Sequence, residues 1–292
     1  DGGTTLITGD VYGGQVASGT NAVVSGNNVT IKQTSGTTSV GGIVVGGWAN
    51  SGNVSSNSVT VSGGSIHSDV VGGFTSNGTA SNNSVAVSSG SIGTDDGSVY
   101  GGYVNSGSAT SNSVTVNGGT IGNNVVGGYV TSSTSAAVGT AAGNSVTIDH
   151  TASDGGTTLI TGDVYGGQVA NGSAATVSGN NVTIKQTNGT TSVGGIVYGG
   201  QANSGIVKNN SVAISGGTIH NDVVGGFTSN GTASSNSVTF NDGCINNDDG
   251  RIYGGLVSSG TVSSNSVTIN GGTIGRHNGY VYGGYASGGT VT

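Results

Sequence analysis

The chain has no proline, no methionine and no glutamate among its 292 residues, and it has only one cysteine and five basic residues. Without proline, every residue has a backbone N–H that can donate within a β-ladder. A lone cysteine, Cys244, excludes an internal disulfide and any metal site made of several cysteines. Five scattered cations cannot form the cluster that a nucleic-acid surface needs. No apolar run reaches the roughly 18 residues of a membrane-spanning helix, so we expect no direct membrane insertion.

The residues that are present are mainly small, polar or β-branched. The chain has 62 glycines, and apolar residues make up 32% of it, most of them valine and isoleucine, which suit pleated sheets. Flexible chains also have glycine-rich compositions, so the positions of the residues must decide between order and disorder. The chain starts at Asp1 without a signal peptide, and its pattern continues to the last residues. We therefore expect an excerpt of a longer, repetitive protein.

The sequence repeats at two levels. The stretch DGGTTLITGDVYGGQVA starts at Asp1 and again at Asp154, so residues 1–153 and 154–292 are two copies within one continuous unit. Inside each copy, a V-x-G-G motif alternates with an N-[SN]-V-[TA]-[VIF] motif, at intervals of 26 to 39 residues. Such intervals are typical of solenoids. The ten V-x-G-G motifs have their first glycines at Gly13, Gly46, Gly72, Gly101, Gly127, Gly166, Gly199, Gly225, Gly254 and Gly283.

Each unit contains three short apolar runs, N-S-V-T-V, G-T-I and D-V-Y-G-G-Y, separated by Gly, Ser and Asn turns. Their two-residue alternation is typical of β-strands, and so small a unit can bury its apolar face only against its neighbours. The sequence therefore predicts an all-β, parallel β-solenoid of about ten coils, with three short strands per coil and like residues stacked roughly 4.8 Å apart. The copies keep the inward positions apolar: Val61, Val87 and Val99 become Ile214, Phe240 and Ile252.

The double glycine of D-V-Y-G-G is predicted to form a corner of the coil, with the valine inside. Glycine there allows a backbone conformation that other residues resist, or it lets a neighbouring coil approach closely. A phosphate-binding loop would need a following helix and a nearby lysine, and the sequence has neither. The recurrent asparagines of the second motif are predicted to form an internal or turn-lining ladder, in which each amide bonds to the next coil.

An aromatic residue lies directly before or after the double glycine in each of the ten units. Stacked from coil to coil, they would form one or two stripes, which either fill the corners or bind sugar rings and apolar groups of a partner. Because the adjacent valine points inward, the tyrosines before the glycines are expected to be the exposed, ligand-binding set: Tyr12, Tyr100, Tyr165, Tyr198, Tyr253 and Tyr282.

Two acidic pairs, Asp95–Asp96 and Asp248–Asp249, are candidates for calcium binding. Calcium takes about six to eight oxygen ligands, and the calcium-binding repeat of other solenoids is absent, so a solvated Asp-Gly turn accounts better for both pairs. The same carboxylates are a candidate hydrolase pair, but no aromatic or basic cluster flanks them. We therefore predict no metal, no cofactor and no enzymatic activity.

Whole units of the chain are similar to those of a known family. NSVTVNGGTIGNNVVGGYV (Asn112–Val130) and SNSVTINGGTI (Ser264–Ile274) resemble repeats in the passenger regions of bacterial autotransporter adhesins. The resemblance covers nearly the whole chain. It implies a right-handed parallel β-helix on the surface of a Gram-negative bacterium, anchored in the outer membrane through regions outside this chain, and it transfers no binding residue. NNSVAV (Asn82–Val87) is also similar to the head repeats of trimeric autotransporters, which are shorter than these coils.

These observations predict a non-catalytic adhesin or stalk segment that mediates attachment or bacterial aggregation. Its partners would be a host or bacterial surface glycan or protein, or further copies of itself. Three other functions stay open: a self-assembling extracellular filament, a polysaccharide-degrading enzyme, and an ice-binding solenoid that uses the outward Ser and Thr of N-S-V-T-V. Ala86 and Ala213 interrupt that Ser/Thr array, and the basic residues are too scattered to line a catalytic cleft.

Overall fold

A computed structural model describes residues 3–94, 96–132, 138–246 and 248–292. Over these ranges the chain forms β-strands and no helix, and thus no helix that could cross a membrane. In the first copy the strands are β1 (Thr4–Ile7), β2 (Val11–Val16), β3 (Ala22–Ser25), β4 (Asn28–Lys32), β5 (Thr37–Val40), β6 (Val44–Ser55), β7 (Ser58–Ile66), β8 (Val70–Ser81), β9 (Ser84–Ile92), β10 (Val99–Thr110), β11 (Ser113–Val116), β12 (Gly119–Ile121), β13 (Val125–Val130), β14 (Thr140–Ala142) and β15 (Ser145–Ile148). In the second copy they are β16 (Thr157–Ile160), β17 (Val164–Val169), β18 (Ala175–Ser178), β19 (Asn181–Lys185), β20 (Thr190–Val193), β21 (Val197–Lys208), β22 (Ser211–Ile219), β23 (Val223–Ser234), β24 (Ser237–Ile245), β25 (Arg251–Ser263), β26 (Ser266–Ile269), β27 (Thr273–Ile274) and β28 (Tyr280–Val291).

The strands form two stacked sheets. Sheet A contains 15 of the described strands and sheet B contains 13. Strands of equivalent sequence pair in parallel from coil to coil; β10, for example, places Gly102 opposite Gly73 of β8 and Gly128 of β13. The prediction of an all-β, parallel β-solenoid of about ten coils is therefore confirmed.

One coil runs through β9 in sheet A and β10 in sheet B. β9 holds the first two predicted runs, joined at Gly90, whose φ of 104° bends the strand. β10 begins with the third run and continues past Gly107 (φ 129°) into a fourth run, Ser108–Thr110. The sequence pattern does not predict this fourth run, because its one buried apolar residue is the small Ala109. Ser111, with a φ of 55°, then turns the chain back to sheet A.

The apolar side chains of the coils fill a large core and smaller ones. The large core lies between sheet A and the first half of the sheet B strands, where Val85, Val87, Ile92 and Val99 belong to it. A smaller core lies in the second half of the sheet B strands and contains Val104 and Ala109. The predicted inward residues are at most 1% exposed, which confirms them as core: Val61, Val87, Val99, Ile214, Phe240 and Ile252.

A ladder of asparagines runs along the rod. The backbone N–H of Asn112 donates to Asn144 Oδ1 at 3.0 Å, and its Nδ2 donates to the same oxygen at 3.0 Å and to the Ala80 carbonyl at 2.9 Å. Asn83 donates to Asn112 Oδ1 in the same way. The pattern recurs through Asn27, Asn57, Asn83, Asn112, Asn144, Asn180, Asn210, Asn236 and Asn265. The predicted ladder is confirmed, and most of its amides are buried.

The double glycine lies inside the sheet B strands and not at a corner, which corrects the sequence prediction. Gly101 and Gly102 do not have a positive φ, so the backbone conformation does not demand glycine. A methyl group on Gly102 would lie 2.4 Å from Asn112 Nδ2, and one on Gly101 would lie 2.5 Å from the carbonyl oxygen of Gly127 in the next coil. The glycines are needed for close approach, because they make room for the ladder and for the neighbouring coil.

Candidate ligand-binding face

The residues on either side of the double glycine form two columns along sheet B, outside the large core. We call these two columns the aromatic face. The first column, before the glycines, contains Tyr12, Val45, Val71, Tyr100, Val126, Tyr165, Tyr198, Val224, Tyr253 and Tyr282. The second column, after the glycines, contains Gln15, Trp48, Phe74, Tyr103, Tyr129, Gln168, Gln201, Phe227, Leu256 and Tyr285.

Twelve of the chain's 14 aromatic residues belong to the aromatic face. Of the other two, Phe240 fills the large core and Tyr280 adjoins the face, with its ring 6.3 Å from that of Tyr282. Within the face, the centroids of neighbouring rings lie 4.9 to 6.1 Å apart. They form three clusters, Trp48 to Tyr129, Tyr165 to Phe227 and Tyr253 to Tyr285. One side of the rod therefore carries almost all of the aromatic surface.

The first column is the deeper of the two. Tyr165 and Tyr253 are only 7% exposed, whereas Tyr285 of the second column is 38% exposed. The valines of the first column are buried although they lie outside the large core. The expectation that the tyrosines before the glycines are the exposed ones is therefore wrong for Tyr165 and Tyr253. The first column forms the floor of the aromatic face, and the second column is more open to a ligand.

A row of carboxylates borders the aromatic face. Each accepts the backbone N–H of the equivalent residue in the next coil at 2.7 to 3.1 Å: Asp10, Asp69, Asp163 and Asp222. Tyr12 and Tyr165 also donate their hydroxyls to the Asp10 and Asp163 carboxylates, at 3.0 and 2.7 Å. These carboxylates therefore join successive coils and hold two of the phenol rings in place.

Burial raises the pKa of the floor tyrosines Tyr100, Tyr165 and Tyr198 above the ordinary value of 10, and at Tyr165 the hydrogen bond to Asp163 raises it further. Above pH 10 the unfolded chain therefore binds fewer protons than the folded chain, and stability falls as the pH rises through this range. In a spectrophotometric alkaline titration of the folded chain, we expect these tyrosines to stay protonated at pH values at which tyrosines of an unfolded chain are already ionised. Their tyrosinate absorbance should then develop together with loss of the β-sheet circular dichroism signal.

Tyr165→Phe supplies the control for this titration. The variant should lose part of the delayed absorbance change and leave the rest in place. If all ten tyrosines of the wild-type chain ionised in a single step near pH 10 with the fold intact, burial of the floor tyrosines would be contradicted.

Each copy has a cavity on the aromatic face. The cavity in the first copy has a volume of about 140 Å³, and Trp48, Phe74 and Tyr103 line it together with Asp69. The cavity in the second copy is larger, about 640 Å³, and combines rings with charged and hydroxyl groups. It is lined by Asp222, Phe227, Arg251, Tyr253, Leu256, Ser258, Tyr280, Tyr282, Tyr285 and Ser287.

Of the acidic pairs, the described residues Asp96, Asp248 and Asp249 do not line these cavities. Asp95 is outside the described residues, and Asp96 lies in a turn with a φ of 67°. The backbone carbonyl of Asp248 accepts the backbone N–H of Asn278 at 3.0 Å, and Asp248 Oδ1 lies 3.2 Å from His277 Nδ1. Asp249 Oδ1 accepts the side-chain amide of Asn278 at 3.1 Å. In the part of the chain that the structure describes, no three His, Cys, Asp or Glu side chains come together as a metal site.

A buried histidine lies in the long coil between the two copies, and nothing in the sequence pattern predicts its contacts. His150 is 3% exposed; its Nε2 lies 2.9 Å from Asp154 Oδ1, and its Nδ1 lies 3.3 Å from Thr158 Oγ1. Thr158 is fully buried, and its hydroxyl donates to the Asp149 carbonyl at 2.6 Å. This Thr-His-Asp arrangement therefore presents no nucleophile to a substrate; it fastens the long coil to β16.

The outward threonines of the N-S-V-T-V run form a column along sheet A. Thr30, Thr60, Thr115, Thr147, Thr183, Thr239 and Thr268 are in register. Ala86 and Ala213 stand in the same column, so the longest uninterrupted stretch is Thr115, Thr147 and Thr183. The array is present as the sequence predicts, but it is less continuous than the aromatic face.

Comparisons with protein-family models, with curated proteins and with solved structures find no match to this chain.

Proposed function

We propose that the chain is a non-catalytic adhesive segment of a bacterial cell-surface protein, and that its aromatic face binds a glycan chain. The observation that carries the proposal is the gathering of twelve aromatic residues on one face of the rod. Aromatic rings offer a large, rigid apolar surface against which the C–H faces of sugar rings can pack, and their hydroxyls can bond to sugar hydroxyls. Because the rings recur from coil to coil, a linear chain of sugars can contact several of them at once.

An extracellular location follows from the same proposal. The resemblance to autotransporter passengers supports display on the cell surface, anchored through regions outside this chain. Five lysines and arginines leave few sites for trypsin-like proteases, and the ladder of Asn112 and its equivalents joins each coil to the next through buried amides. A rod built in this way can project a binding face without a separate scaffold. Attachment to a host or bacterial glycan, or aggregation through it, would be the result.

A glycan array tests the proposal with a variant that carries three substitutions in the second column. Each replacement residue already occurs in that column in another coil. Tyr103→Leu copies Leu256, which pairs into the same column, and Tyr129→Gln and Tyr285→Gln copy Gln168 and Gln201. Aromatic contacts are worth about 1 kcal/mol each, so the triple variant should bind its glycan at least roughly tenfold more weakly. The β-sheet circular dichroism spectrum should be unchanged.

Ile206→Asn is the matched control, because Ile206 is 45% exposed in the second half of β21 and the first copy has Asn53 at its position. It removes an exposed apolar group away from the aromatic face and should leave binding intact. Equal binding by the triple variant, the control and the wild type would contradict a role for the aromatic face. Binding of protein ligands alone, or self-association alone, would also overturn the proposal of a glycan.

A further inference from the structure

The two copies differ in the charge of the aromatic face. Residue Arg251 borders the face in the second copy, where the first copy has Ser98. Ser98 is buried, and its hydroxyl oxygen accepts the backbone N–H of Asn124 at 3.3 Å. Arg251 is exposed and lines the 640 Å³ cavity. Of the five basic residues of the chain, only Arg251 lines this cavity.

We propose that the cavity of the second copy is a subsite for a sugar that carries a carboxylate, such as a uronic or sialic acid, with Arg251 binding the carboxylate. The inference rests on the proposed function, because it places one charged residue of a glycan chain within the aromatic face. It adds a chemical class of ligand and a position that the aromatic rings alone do not specify.

The lining residues of the cavity provide an aromatic surface for the sugar ring and a cation for its carboxylate. Tyr253 and Tyr282 stack with their ring centroids 5.2 Å apart and their planes within 8°, and Tyr285 packs against both at 5.9 and 5.2 Å. These rings offer an apolar wall for the sugar ring. Arg251 lines the same cavity, and its guanidinium lies near the hydroxyl of Tyr253.

Arg251 has donors left for a ligand. A guanidinium has five N–H groups in a planar fork that matches a carboxylate, so the nearby Tyr253 hydroxyl could take up only part of that fork. The Asp222 carboxylate, also in the lining, accepts the backbone N–H of Arg251 through Oδ1 at 3.1 Å. Its other oxygen can accept from a sugar hydroxyl. A cation, an acceptor and a wall of rings thus converge on one cavity whose volume is within the usual range of small-molecule sites.

The cavity of the first copy overlaps the second-copy cavity at three equivalent positions, and no lysine or arginine lines it. Its lining keeps an aspartate and a phenylalanine, Asp69 and Phe74, at the positions of Asp222 and Phe227. The remainder is apolar or aromatic, and its volume is about 140 Å³. The first copy therefore serves as an internal reference, and an acidic sugar should bind at one site per chain.

Isothermal titration of the whole chain with an oligogalacturonate and with its fully methyl-esterified form tests the proposal, because the two ligands share the same sugar chain and the ester lacks the negative charge of the carboxylates. The acid should bind more tightly than the ester, at one site. Arg251→Ser, which copies the first copy, should weaken binding of the acid by about tenfold or more and leave binding of the ester unchanged. The affinity of Arg251→Lys for the acid should lie between those of the wild type and Arg251→Ser, because lysine keeps the positive charge but lacks the planar fork of N–H donors. Sialyllactose and lactose form a second pair that distinguishes a sialic acid from a uronic acid.

Arg276→Ser is the control for net charge, because Arg276 is exposed and does not line the cavity. Circular dichroism checks that each variant is folded. Equal binding of the acid and the ester, with no effect of Arg251→Ser, would overturn the subsite and leave glycan binding by the aromatic face standing. An equal loss in Arg251→Ser and Arg276→Ser would also overturn it, because it would show attraction by overall charge. Failure of every oligosaccharide to bind the wild-type chain would reject both the subsite and the proposed function.

Discussion

Substituting Gly102 with alanine should destabilise the rod by about 3 kcal/mol or more, although it adds a single methyl group. That methyl group would lie 2.4 Å from Asn112 Nδ2 and 2.6 Å from Asn112 Cγ. The amide cannot move aside, since its Nδ2 donates to Asn144 and Ala80 and its Oδ1 accepts from Asn83. The midpoint of urea unfolding, followed by circular dichroism, measures the loss.

Gly9→Ala is the control for the general effect of replacing glycine by alanine. A methyl group on Gly9 meets no atom within 4 Å, and Gly9 does not have a positive φ, so this variant should unfold within about 0.5 kcal/mol of the wild type. A double variant identifies the cause. If Gly102→Ala clashes with the amide, it should cost much less in an Asn112→Ala background, because the clashing atoms are gone. An equal cost in both backgrounds would mean that the strand itself, and not the ladder, requires glycine.

Much of this architecture can be predicted from the sequence because every coil of the solenoid needs the same kinds of residue at the same positions. Each coil must present an apolar residue at the same inward positions, and the change from Val87 to Phe240 between copies keeps that rule while altering size. The fourth run is harder to recognise in the sequence because its inward residue changes from coil to coil between alanine and valine, as at Ala109 and Val207. The double glycine was open to two explanations, and only the position of Asn112 across the coil decides between them.

The candidate site was less predictable than the fold. Alternation along a strand indicates that Tyr165 and Tyr253 lie on the face opposite the core, and this is correct. Their exposure depends on neighbours in other coils and in the adjacent column: the Tyr198 ring stacks on Tyr165 at 5.1 Å, and Tyr282 covers Tyr253 at 5.2 Å. The sequence of a single strand does not predict those contacts between coils. For the same reason, Arg251 is unremarkable in the sequence and becomes notable only beside the rings of the next coil.

Substituting Asn112 with alanine should be the second most damaging single change, because it breaks the ladder without introducing a clash. The variant removes three hydrogen bonds between buried groups. The backbone N–H of Asn83 and one of the two N–H groups of its Nδ2 lose their acceptor, Asn112 Oδ1, at 3.0 Å, and the carbonyl of Ala80 loses the Asn112 Nδ2 donor at 2.9 Å. Each unsatisfied buried group costs about 1–3 kcal/mol, so we expect a loss of at least about 3 kcal/mol. That is a large part of the roughly 5–15 kcal/mol that stabilises a typical domain.

A control variant and amide hydrogen exchange at single residues distinguish loss of the ladder from a general effect of removing a side-chain amide. Asn77→Ala removes an exposed asparagine from β8 and should change the unfolding midpoint little. Because each coil contacts only its neighbours, Asn112→Ala should speed amide hydrogen exchange first at Asn83, whose N–H loses its acceptor, and leave the distant Asn210 protected. Equal stability of the two variants, or an unchanged exchange rate at Asn83, would show that the ladder accompanies the fold without stabilising it.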